Sequence, residues 1–448
     1  MSDQNAIEML RHEAHALAPE EHYDFLLDEI GDASIVLLGE STHGSHEFYH
    51  ARMKISQRLI QEKSFDAIAV EADWPDALCV SRYVQNTTPS EHLQPKHALD
   101  KFQRFPLWMW RNTEIVKLVM WLQQHNAGIS EHAQKIGFFG LDLYSLHSSM
   151  QSVVQYLEKV DPAAAQQARA RYSCFDFVAE DPQQYGYATS FGMKKDCEEE
   201  VLRQLMALTS DPGQYLRHDG PVAADELFYA QQNARVAQHA EAYYRSMFRG
   251  RDESWNLRDT HMADTLDALR DHLGKQKGRP AKIIVWAHNS HIGDARATEM
   301  GDHGQLNLGQ LVRERYPASE SFLLGFTTHA GTVTAASEWD SPAELKQINP
   351  SRRDSYEQLF HSTQLGNFFV PIRSNRYLKE LLQPRRLERA IGVIYLPHSE
   401  RLSHYFHASI AEQFDAVIHF DETHALHPLD RSAHWTMEDA PETYPFGM

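Results

Sequence analysis

The chain has 448 residues, a formal net charge of −19 and a hydrophobic fraction of 42%. That length suits one large domain or two closely packed ones, and that composition suits a buried core. The negative charge opposes nucleic acid and anionic membranes as partners.

The N-terminus, MSDQNAIEMLRHEA, is polar and amphipathic and lacks the apolar stretch of a signal peptide. No apolar run in the chain approaches the ~20 residues of a membrane span. A cytoplasmic protein is expected. The first apolar run, Ile35–Gly39, does not alternate and reads as a buried parallel strand. It stops at Glu40, followed by Ser41, Thr42, His43 and Gly44. Gly39 and Gly44 read as positions where the backbone turns sharply. Residues 46–63 then have helical spacing. Arg52 lies on that segment, about two helical turns beyond His43. It faces either the pocket or a surface partner such as Glu47 or Asp66. A second run, Ala67–Val70, ends in Glu71, Asp73 and Trp74. Residues 87–108 read as an ordered surface loop, and 110–126 again as a helix. A third run, Ile136–Gly140, leads to Asp142 and Tyr144.

Residues 145–275 hold little that reads as strand. Asp225–Met247 and Arg258–Leu273 look like long amphipathic helices. This region is read as a helical insertion that caps a cleft. A fourth run, Ile283–Trp286, ends in His288, Asn289 and His291, before a glycine-containing loop at 293–305. Three later runs extend the pattern: Phe322–Phe326, Ile391–Leu396 and Ala416–Phe420. The expected fold class is α/β, a central mostly parallel sheet flanked by helices. The expected units are residues 1–144 and 279–448 for the core and 145–278 for the cap. Cys79, Cys174 and Cys197 have no CxxC spacing and argue against disulfides and a thiolate metal site. They fit a reducing compartment.

Four strands thus end in polar, titratable residues. In parallel α/β sheets ligands bind beyond the carboxyl edge. Adjacent strands would bring Glu40, His43, Glu71, Asp142 and His288 to one pocket. No GxSxG, GxxxxGK[ST] or strand-following GxGxxG is present. Nothing therefore supports a nucleophilic serine or a nucleotide cofactor. Histidine and carboxylate remain, a set that activates water. The same types can ligate a metal, and His288 and His291 are three residues apart.

The motifs LGESTHG (38–44), AVEADW (69–74) and VWAHNSHI (285–292) resemble those of the erythromycin esterase family. The segments NLRDTHMADT (256–265) and ERLSHYFHASIAEQFDAVIHFDET (400–423) add to the likeness, which spans nearly the whole chain. The resemblance implies hydrolysis of an ester or lactone, with no cofactor and no metal. It implies His43 as general base and Glu71 as its carboxylate partner. Glu40, Arg52 and His288 match further catalytic positions. His291, Trp74, Asp142, Tyr144 and Arg258 are candidates for binding a small-molecule substrate. Arg258 and Asp259 either pair on a helix surface or line the cleft. Trp74, Trp108, Trp110 and Tyr144 either wall the cleft or pack beneath its loops. Cleft walls are expected from 145–275, 87–108 and 293–305. The alternatives are a metal-dependent hydrolase using the same pocket and a non-catalytic small-molecule binder.

Overall fold

The computed structural model describes residues 3–17, 23–87, 94–177, 182–210, 213, 215, 220–248, 250–432 and 435. The loop expected at 87–108 therefore lies partly outside the described residues.

Eleven strands are described: β1 (His15–Ala16), β2 (Ile35–Leu38), β3 (Ala67–Asp73), β4 (Gly137–Asp142), β5 (Ile283–Trp286), β6 (Ser321–Ala335), β7 (Glu344–Ile348), β8 (Phe368–Pro371), β9 (Arg386–Arg389), β10 (Tyr405–Ala408) and β11 (Ala416–Thr423). The main sheet runs β1-β8-β11-β6-β2-β5-β3-β4, with β7 on β6, while β9 and β10 form a separate ribbon. The central pairs β11–β6, β6–β2, β2–β5, β5–β3 and β3–β4 are parallel. Within the main sheet, among the described residues, antiparallel strand pairs enter only through β1, β7 and β8.

The unbroken apolar runs are explained by cover on both faces. Val36, Leu38, Ile284 and Trp286 join one hydrophobic cluster. Ile35, Leu37, Ile283 and Val285, between them in sequence, join a second cluster on the opposite face. Helix Arg251–Lys277 adds Met262, Leu266 and Leu269 to that second cluster. Residues 146–244 build a third cluster of their own, around Leu146, Val153, Leu157, Tyr185 and Ala237. The long helix Gly220–Ser246 runs through it. No described helix is long and apolar enough to cross a membrane.

Three sequence expectations change here. Ile391–Leu396 is not a strand. Ile391 and Tyr395 are apolar because they pack with Val333, Ala335 and Ile348 under the β6–β7 ribbon. The segment makes only isolated bridges, to Thr42 and Ala336. Cys174 and Cys197 are joined in a disulfide, Cα to Cα 6.0 Å, because the insertion folds back on itself. The cysteines therefore no longer argue for a reducing compartment. Gly39 and Gly44 do not adopt positive φ. They allow close approach instead: a Cβ on Gly39 would lie 2.1 Å from Asn289 Oδ1, and one on Gly44 would lie 1.8 Å from the Thr334 carbonyl.

Candidate active site

The order β2-β5-β3-β4 places Glu40, His288, Glu71 and Asp142 at the carboxyl ends of four neighbouring parallel strands. Beyond them opens a cleft of about 750 Å³, lined among others by His43, Glu71, Asp142, Tyr144, Arg258, His288 and His291.

The loop after β2 holds the first imidazole. Ile391 N–H donates to the Ser41 carbonyl at 2.8 Å, and His43 N–H donates to the Ile391 carbonyl at 3.3 Å. The His43 side chain donates from Nδ1 to Glu40 Oε1 at 2.8 Å. Arg52 donates from Nη2 to the other oxygen of Glu40 at 2.6 Å. Arg52 is buried between Tyr49 and Trp286, its guanidinium carbon 4.4 and 4.8 Å from their rings. It does not line the cleft. Arg52 thus takes neither expected place: it faces neither the cleft nor Glu47 or Asp66, but pairs with the buried Glu40.

The second imidazole, His288, caps the short helix Asn289–Ile292. Its Nδ1 accepts from Ser290 N–H at 3.2 Å and lies 2.8 Å from Ser290 Oγ. Its ring centroid is 4.8 Å from that of His43. Burial, then the nearby His43, push the His288 pKa well below its ordinary value, against the opposing pull of Glu71 and the Ser41 carbonyl. The ring is therefore neutral. With Nδ1 accepting, the proton sits on Nε2.

Glu71 does not hydrogen-bond to His43. One oxygen accepts from Arg258 Nη2 at 2.7 Å and the other from His288 N–H at 2.9 Å. The carboxylate that holds His43 is Glu40, three residues upstream, which corrects the expected pairing. Burial raises the Glu71 pKa, but His291, Arg258 and His43 outweigh it and hold the carboxyl well below its usual range.

Arg258 also grips Asp142, from Nε to Oδ1 at 3.0 Å and from Nη2 to Oδ2 at 2.7 Å. It is a half-buried hub in the cleft lining, not a surface partner of Asp259. Asp259 instead accepts from His291 Nδ1 at 2.9 Å. The His291 ring lies flat on Trp255, centroids 4.6 Å apart. Burial lowers the His291 pKa, yet Asp259 and Glu71 prevail and raise it.

Trp74 is not a wall. It begins a helix after β3 and packs in the core against Phe139, Phe228 and Tyr229. Trp108 is likewise buried outside the cleft lining, whereas Trp110 and Tyr144 line it. Tyr144 is flanked by two guanidiniums, Arg104 at 4.3 Å and Arg258 at 5.0 Å.

The cleft walls only partly follow expectation. Residues 102–110 and 299–305 contribute, as do Trp255 and Arg258, but the described helices between 146 and 246 supply no lining side chain. The opposite wall comes from Trp339 and from residues 390–406, including Leu402 and Phe406. Sequence reasoning also missed Arg104, which pairs with Asp73 at 2.9 Å. It missed Asp76, a lining carboxyl that burial and Asp73 push up to about 7. Asp76 falls three residues after Asp73, the one signal that marked it.

A family model described as erythromycin esterase matches residues 60–423. The match begins after the first loop, so Glu40, His43 and Arg52 lie outside it. The YbfO protein of Bacillus subtilis (strain 168) is 22% identical over 413 residues, 88% of this chain and 84% of its own length. Erythromycin esterase type II of Escherichia coli is 22% identical over 433 residues, 90% of this chain and 94% of its own. The crystal structure of a succinoglycan biosynthesis protein superposes with a TM-score of 0.77 at 23% identity, covering 95% of this chain and 98% of that one. An erythromycin esterase mutant in its open conformation superposes with a TM-score of 0.65 at 18% identity, covering 92% and 97%. At such identities the solved structures show the fold.

Proposed function

The chain belongs to the erythromycin esterase family, and from that premise we propose that it is a hydrolase cleaving an ester or lactone with water activated by His43. One observation carries the reading. Two imidazoles with ring centroids 4.8 Å apart are held in opposite ways at Nδ1: His43 has a carboxylate there, and His288 has a backbone N–H. The first has a lone pair free on Nε2, and the second has a proton there.

Each tautomer suits one half of an acyl transfer to water. His43 Nε2 takes a proton from water as its oxygen attacks the substrate carbonyl. The charge that forms on the Glu40-paired imidazolium is held by that carboxylate, itself fixed by Arg52. His288 Nε2–H donates to the carbonyl oxygen as it becomes an oxyanion. Collapse expels the alkoxide, which takes its proton back from His43. No bond to the protein forms. Arg52 positions Glu40 and touches no substrate. Glu71 positions His288 through its backbone and fixes Arg258.

The substrate reading rests on the walls. Phe102, Phe105, Trp110, Trp339 and Leu402 give an apolar surface around a polar floor, which fits a bulky ester or lactone. A macrolide lactone, as the name of the Escherichia coli relative suggests, is the first candidate. We assign residues 1–144 and 279–448 to the α/β core and 145–278 to a helical cap beside the cleft.

The test is a panel of lactones and esters, macrolides included, incubated with the protein with and without chelator. The expected result is a product heavier by one water, formed equally in both arms. No hydrolysis across the panel would refute the ester reading, and loss only with chelator would refute the metal-free mechanism.

A further inference from the structure

Outside the cleft, one cluster of nitrogen and oxygen donors has no part in the proposed reaction. Helix His46–Lys63 starts three residues after His43 and carries His46 and His50 one turn apart, on one face. Glu114 sits in the first turn of the helix Thr113–Ala127, fully buried. Its two oxygens face the two rings: His46 Nδ1 is 3.5 Å from Oε1, and His50 Nδ1 is 3.2 Å from Oε2. None of the three lines the cleft.

The spacing is that of ligands. Two atoms each about 2.1 Å from a tetrahedral ion lie about 3.4 Å apart. One donor atom from each residue lies within 4.8 Å of the others, so the widest gap closes with a small ring rotation. His46 Nδ1 is buried and has no hydrogen-bond partner among the described residues. A buried polar atom left unmatched costs stability, and an ion there would satisfy it.

We propose that His46, His50 and Glu114 bind one divalent cation of the zinc type through two imidazole nitrogens and one carboxylate oxygen. Mixed nitrogen and oxygen donors suit such an ion, and its remaining position is open to water. Lys117 Nζ now sits 2.6 Å from Glu114 Oε1, but its side chain is half exposed on a flexible stem. The cation takes its place and the ammonium turns to solvent. The ion then ties the helix that follows His43 to the helix that follows Trp110 and its neighbours in the cleft wall.

The experiment uses the full, tag-free, metal-stripped chain, titrated with Co(II) and followed by the visible absorption of the bound ion. Wild type is expected to take up one equivalent, and Zn(II) to raise its Tm. His50→Ala should weaken that equivalent about tenfold or more, whereas His43→Asn and His288→Asn should keep it. Lys117→Met, a change at a half-exposed side chain, should bind more tightly because a competing charge is gone. The proposal is overturned if wild type binds no Co(II) or if His50→Ala binds it undiminished. It is equally overturned if the equivalent is lost in His43→Asn or if Lys117→Met binds no tighter.

Discussion

Replacing Arg52 with Met removes the guanidinium bonded to Glu40 while keeping most of the side-chain volume. Both partners are almost fully buried, and their contact is 2.6 Å. Removing one partner of a buried ion pair typically costs about 3–5 kcal/mol, because the other charge stays uncompensated. Glu40→Gln should cost a similar amount, since it strands the guanidinium. At about 2.1 cal/mol/K per residue, unfolding 448 residues changes entropy by roughly 0.9 kcal/mol/K. Each single variant should therefore lose about 3–5 °C in Tm. The double variant should lose clearly less than the sum, with a coupling of about 2 kcal/mol or more. The assay is calorimetry on all four proteins, with turnover measured in parallel. Additivity within about 0.5 kcal/mol would show that Arg52 and Glu40 act independently and would refute the argument.

That pair also shows what the sequence could and could not disclose. β2, β3, β4 and β5 were legible because both faces are buried, so each strand is an unbroken apolar run ending in a polar residue. Hence Glu40, Glu71, Asp142 and His288 were visible as strand ends. Their partners were not. Glu40 meets Arg52 twelve residues on, and Arg258 reaches Glu71 and Asp142 across more than a hundred residues. No local pattern encodes such contacts, and the family likeness alone suggested Glu71 for the place beside His43 that Glu40 occupies. Trp74, open between cleft wall and core packing because it follows a strand, proves to be core: it begins a helix and packs on Phe139, Phe228 and Tyr229. The wall at 390–406 was missed because its apolar run was read as a strand.

Other outcomes follow from the same geometry. Folding holds His288 neutral, so the unfolded chain binds its proton more readily as pH falls below the ordinary histidine pKa of about 6.5. Its contribution to stability should be intact above that pH and shrink below it, with a slope of at most about 1.4 kcal/mol per pH unit. The Tm of wild type should fall more steeply between pH 7 and pH 5 than that of His288→Asn; parallel curves would remove His288 from the account. Leu402 lines the cleft rim yet is 88% exposed, so Leu402→Ala should raise KM for a bulky ester severalfold, about 1 kcal/mol, with Tm unchanged. An unchanged KM would show that the rim does not touch substrate. Arg258→Met removes the guanidinium shared by Glu71 and Asp142, and should lower Tm more than Arg104→Met, whose side chain is 40% exposed.

The central claim is that His43 activates the water, and its most direct test is turnover by His43→Asn on whichever panel substrate wild type cleaves. The product is read as the gain of one water by mass spectrometry. The account predicts a variant with wild-type Tm and a rate lower by about a hundredfold or more. Turnover at the wild-type rate would contradict it.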